Sequence, residues 1–67
     1  MFDLYDARVI SRKSQSELAK VTGLSPKKIS LIERGQIRPT SEVKKRLANA
    51  LALRIFEINW EVEDVAA

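Results

Sequence analysis

The stretch Ser14-Gln15-Ser16-Glu17-Leu18-Ala19-Lys20-Val21-Thr22-Gly23-Leu24-Ser25-Pro26-Lys27-Lys28-Ile29-Ser30-Leu31-Ile32-Glu33-Arg34-Gly35 holds two helix starts and two helix stops. Ser14 is followed three residues later by Glu17, the reciprocal arrangement in which each side chain satisfies a free backbone N–H at a helix start. Leu18, Ala19 and Thr22 then fall on one stripe, and Gly23 can take the left-handed conformation that closes a helix. Ser25 offers a second N-cap. Pro26 suits the first helical position, where its missing N–H would have had no partner. Ile29 and Ile32 point one way and Lys27, Ser30, Leu31 and Arg34 largely another, until Gly35 stops the segment. Two short helices are expected, at about 15–22 and 26–34, joined by a tight glycine-containing turn.

Outward from this pair the pattern stays helical. Thr40 after Pro39 can cap a longer helix in which Val43, Leu47, Ala50 and Leu51 form the apolar stripe and Lys44, Lys45 and Arg46 remain outside. On the N-terminal side, Leu4 to Ser11 reads as a first helix, with Asp3 and Asp6 at its start where negative charge suits the helix dipole. Near the C-terminus, Ile55, Phe56 and Ile58 fit a short fifth helix, while Ile58, Trp60 and Val62 alternate with polar residues as in a strand. The helix, followed by an extended acidic tail, is the expectation. The fold class is therefore all-α, a compact bundle of about five short helices over residues 1–59, with 60–67 as a tail.

A chain of 67 residues buries only about 60% of its unfolded surface, so caps, core or a partner subunit must hold it. It has neither cysteine nor histidine. Disulfides, thiolate or imidazole metal sites and the usual cysteine and imidazole chemistry are excluded, and no cofactor is expected. No apolar run approaches the roughly 20 residues of a membrane span and no signal-peptide pattern opens the chain, so a cytoplasmic protein without membrane contact is expected. The net charge of +3 conceals an asymmetry: residues 8 to 54 hold all twelve Lys and Arg against Glu17, Glu33 and Glu42, between two acidic ends. A basic body of this kind attracts polyanions. Ser25-Pro26-Lys27-Lys28 and Ser41-Glu42-Val43-Lys44 both satisfy Ser-x-x-Lys, but without the accompanying motifs or enough chain for a pocket they argue for no enzyme.

Two short helices around a glycine turn are the helix-turn-helix unit, whose second helix lies in the DNA major groove. Ser14-Gln15, Leu18-Ala19, Gly23-Leu24-Ser25, Ile29-Ser30, Ile32-Glu33, Gly35 and Pro39 resemble the Cro and phage-repressor (Xre-type) family, without a gap from Gln15 to Gly35. Ala48-Asn49-Ala50-Leu51-Ala52-Leu53 resembles its fourth helix and exit. The resemblance implies a lambda-repressor-like domain acting as a sequence-specific DNA-binding transcriptional regulator, usually a repressor. It implies double-stranded DNA as partner and a homodimer whose recognition helices stand about 34 Å apart.

Site residues follow from the same resemblance. Ser25, Pro26, Lys27, Ser30 and Leu31 occupy positions that read bases in relatives. Of these, Lys27 is the strongest candidate, donating to guanine O6 and N7, and Leu31 could meet a thymine methyl. Gln15, Lys28, Arg34 and Arg38 are expected at backbone phosphates. Arg8 and Glu33 match a structural ion pair, and Phe56, Ile58 and Trp60 are dimer candidates, with core closure the preferred reading for Phe56 and Ile58. Some positions depart from the pattern: Arg12 and Ala52 stand where helix-ending glycines are usual, Arg54 where a capping serine or threonine is, and Pro26 where a glutamine often reads adenine. The rival role is an antitoxin-like or anti-repressor module that binds a protein partner through the same fold.

Overall fold

The computed structural model describes residues 2–61. In chain order these form β1 (Phe2–Asp3), α1 (Leu4–Ile10), α2 (Gln15–Thr22), α3 (Pro26–Glu33), α4 (Ser41–Ala50), a 3-10 turn (Ile55–Glu57) and β2 (Ile58–Asn59). Every α-helix begins on a side-chain cap. Asp3 Oδ1 accepts from the Asp6 N–H at 2.8 Å, Ser25 Oγ from Lys28 at 3.0 Å and Thr40 Oγ1 from Val43 at 3.3 Å. Ser14 and Glu17 complete their reciprocal box at 3.0 and 2.9 Å. Such caps contribute about 1 kcal/mol each, a large share of the stability of a domain this small.

Four fully buried side chains, Leu4, Leu18, Ile29 and Leu47, come one from each helix and form the centre of the core. Ala7, Ala19 and Ala48 are also buried, and their small side chains let the helices approach. The α2 helix packs on both α3 and α4.

The expectation of a fifth helix and an all-α fold is corrected at the C-terminal end. Only one 3-10 turn forms, and the chain then runs extended so that β2 pairs in parallel with β1, Phe2 opposite Ile58 and Asp3 opposite Asn59. The Arg54 side chain supplies no cap hydrogen bond to start a longer helix, and the Glu57 carboxylate instead accepts from the Arg54 N–H at 2.9 Å. The extended course buries Ile58, which is only 3% exposed, and brings Trp60 against the same core. The alternation of Ile58 with Trp60 therefore outweighs the helical reading. Val62 and the rest of the expected tail, 62–67, lie outside the described residues.

Four residues adopt positive φ: Gly23 at 76°, Gly35 at 74°, Arg12 at 59° and Ala52 at 57°. At Gly23 the nearest neighbour to an added Cβ would be Arg46 Nη1 at 3.7 Å, so glycine is needed there for backbone conformation, not space. Arg12 and Ala52 take the same left-handed geometry with a Cβ present. Around Ala52 the Ala52 and Leu53 N–H groups close α4 by donating to Asn49 and Ala48 carbonyls at 3.1 and 2.9 Å.

Ala52→Gly should therefore stabilise the domain by about 0.5–1 kcal/mol, the left-handed penalty less the added freedom of the unfolded chain. A rise of several degrees in a thermal melt would show it, with Gly23→Ala moving the other way. A second outcome concerns Glu17, whose carboxyl is held below its ordinary pKa by hydrogen bonds from the Ser14 backbone N–H and hydroxyl. Its folded value lies below its unfolded one, so its contribution is present above the unfolded pKa and disappears as pH falls through the folded value. The stability advantage of wild type over Glu17→Gln, measured by urea denaturation, should shrink on acidification through the carboxylate range.

Candidate nucleic-acid interface

The α3 helix divides cleanly. Ile29, Ile32 and Glu33 are buried, while Ser25, Pro26, Lys27, Lys28 and Arg34 are exposed and Ser30 and Leu31 half-buried. Ser25 faces outward while its hydroxyl oxygen caps the helix. Pro26 presents no donor. Lys27, Lys28 and Arg34 have no anionic partner among the described residues, whose ion pairs are Arg8–Glu33, Arg38–Glu61 and Arg46–Glu42. One helical face thus combines uncompensated cations with short polar and apolar side chains, the mixture that phosphates and base edges require.

The inner side of α3 is fixed by a polar node. Arg8 Nε and Nη2 donate to the two oxygens of Glu33 at 2.5 and 3.2 Å, and Arg8 Nη1 donates to the Lys13 carbonyl at 3.0 Å. The two side chains are 12% and 4% exposed. The hydrogen bond that Arg8 donates to Glu33 raises the Arg8 pKa above its ordinary value, against the opposing effect of burial. Gln15 joins the node, its Nε2 donating to Glu33 Oε1 at 3.0 Å. Its amide is therefore not simply presented to solvent, though an NH2 group carries two donors and only one is used here. Helices α1, α2 and α3 meet at one carboxylate, and Arg8 ties the α1–α2 loop to it through the Lys13 carbonyl.

The remaining candidates lie at the C-terminal end. Arg38 is exposed and paired with Glu61, Nη1 to Oε2 at 2.7 Å. Ile58 is core, in line with the closure reading and not with its alternative as a dimer contact. Phe56, for which core closure was the preferred reading, is instead 69% exposed, with Arg54 against its ring. Trp60 is half-buried, its Nε1 donating to the Ile55 carbonyl at 3.1 Å. Sequence reasoning missed Lys44, which stands 5.9 Å from the centre of the Trp60 ring, and Glu61. The only local signal was the spacing of Ile58 and Trp60; the rest depends on the β1–β2 register, which joins residues far apart in sequence.

A family model described as helix-turn-helix matches residues 4–58, most of the chain. The protein belongs to the Cro-type, Xre-like helix-turn-helix family, a family of DNA-binding regulatory domains. No curated protein and no solved structure shows a significant match to the chain. No helix among the described residues is long and apolar enough to cross a membrane.

Removing one partner of a buried pair leaves the other charge uncompensated, a cost of about 3–5 kcal/mol. Arg8→Ala should consequently lower stability by that order and leave the domain largely unfolded near body temperature. Circular-dichroism melts check this, and a melting temperature equal to wild type would exclude a structural role for the pair.

Proposed function

We propose that this chain is a sequence-specific transcriptional regulator, acting as a repressor, that reads an operator through the major groove with α3. The observation carrying the reading is the outward face of α3, where Lys27, Lys28 and Arg34 stand without partners among the described residues on a helix anchored from behind by Glu33. Phosphate contacts from Lys28 and Arg34, with the second amide donor of Gln15, supply affinity and register; Lys27, Ser30 and Leu31, flanked by Ser25 and Pro26, supply discrimination. Pro26 gives up a side-chain contact, so base readout rests more heavily on Lys27.

Operation as a homodimer on a palindromic site belongs to the same proposal. Phe56 and the exposed part of Trp60 are the residues available for that contact, Ile58 being internal. One observation favours the second reading, a module for a protein partner: the outer side of α1 exposes Tyr5, Val9 and Ile10, so this seven-residue helix is apolar on its solvent side as well.

Selection of bound duplexes from a random library separates the two, since enrichment of a two-fold-symmetric site supports the regulator and enrichment of nothing supports the protein-binding module. With the selected site in hand, Lys27→Ala should relax discrimination at a guanine position, the loss corresponding to about 1–3 kcal/mol. An unchanged selected site would remove Lys27 from base reading. Arg34→Ala should weaken all sequences alike and flatten the slope of log affinity against log salt by about one unit.

A further inference from the structure

The pairing of Arg38 with Glu61 joins the α3–α4 loop to the chain beyond β2. Both side chains are largely in solvent, 79% and 72% exposed, yet they meet at 2.7 Å. They also border a cleft of about 80 Å³ whose other walls are Pro39, Lys44 and Trp60. The position of Trp60 is set by its hydrogen bond to the Ile55 carbonyl, and Lys44 lies over its ring. The cleft thus has two cations from separate elements, a fixed aromatic wall and one carboxylate, supplied by the chain itself. It opens on the loop that follows α3.

A guanidinium presents the same fork of N–H donors to a phosphate as to a carboxylate. The Glu61 carboxylate holds Arg38 as an external anion would. An exposed pair of this kind has a small stabilising effect and is screened by salt, so a polyanion can displace it. Lys44 adds a second positive charge to whatever anion replaces Glu61.

We propose that this cleft is a seat for a DNA backbone phosphate and that Glu61 is its resident competitor, so that the C-terminal segment lowers the affinity of the domain for DNA. The proposal rests on the DNA-binding reading above. Displacing Glu61 offsets part of what the Arg38–phosphate contact contributes, and the freed carboxylate stands near the duplex. Removing the carboxylate removes both effects.

Trp60 is the only tryptophan in the chain, so its emission reports the state of the cleft. The full chain and its Glu61→Gln, Arg38→Ala and doubly substituted forms would be titrated with a fluorescently labelled random-sequence duplex, read by anisotropy, over a range of salt. Glu61→Gln should bind about three- to fivefold more tightly at low salt, as expected for release of one exposed ion pair, with a steeper salt slope and no gain at high salt. Arg38→Ala should cost more in the Glu61→Gln background than in wild type, and duplex should shift Trp60 emission. Equal affinities and slopes for wild type and Glu61→Gln, equal Arg38→Ala costs in the two backgrounds, or Trp60 emission unmoved by bound duplex would each overturn the seat. Inorganic phosphate is the control ligand: a Trp60 response to it at submillimolar concentration, with none to duplex, would assign the cleft to a free anion and overturn the DNA source. Failure of every form to bind duplex would strike the DNA-binding reading itself, whereas tight binding without a Glu61 effect would strike only the seat.

Discussion

The Glu33 carboxylate is the constraint on which the geometry of this small domain depends. It receives Arg8 from α1 and Gln15 from α2 while sitting at the end of α3. A buried charge must be paired to be tolerated, and here the pairing can be completed only when three helices hold one arrangement. Apolar contacts among Leu4, Leu18, Ile29 and Leu47 drive collapse but are non-directional. The carboxylate adds direction, and it does so from the back of the helix whose front is proposed to meet DNA. A rigid presentation of α3 follows from chemistry on its buried side.

Charge along the chain has a related logic. The basic body and acidic C-terminal segment are not independent blocks, because β2 pairs with β1 and Trp60 packs back on the core. That course delivers Glu61 to Arg38 and leaves Lys27, Lys28 and Arg34 on α3 without such partners among the described residues. Cations of one formal type therefore divide into three situations. Arg8 is partly buried in structure, Arg38 is paired in solvent, and the α3 cations stand open among the described residues.

Legibility in the sequence followed the range of the interactions. The starts of α2, α3 and α4 were readable because each cap joins residues three apart, that of α1 from its acidic residues, and Gly23 and Gly35 marked the stops of α2 and α3 by backbone preference alone. The outward residues of α3 were readable from helical spacing, and the family match spans them within residues 4–58. The strand pair was not, since Phe2 and Ile58 become neighbours only after the helices have packed. Ile58 consequently closes the core from a strand and not from a fifth helix, and Lys44, Trp60 and Glu61 came together with only the spacing of Ile58 and Trp60 as a local signal. The turn of the Gln15 amide toward Glu33 was equally hidden, because a helix-start glutamine looks the same whether it faces solvent or a carboxylate. The left-handed backbone at Arg12 and Ala52 was visible only as a departure from the family's glycines.

The α3 helix, held by Glu33, is proposed as the surface that meets DNA. Backbone amide chemical shifts of the labelled protein, followed as a selected duplex is added, test it most directly. The largest changes should fall on Ser25 through Arg34, with smaller ones at Gln15 and the α3–α4 loop and little change at Tyr5, Val9 and Ile10 on the far side of α1. Changes concentrated on α1, with the α3 amides unmoved by saturating duplex, would contradict the claim.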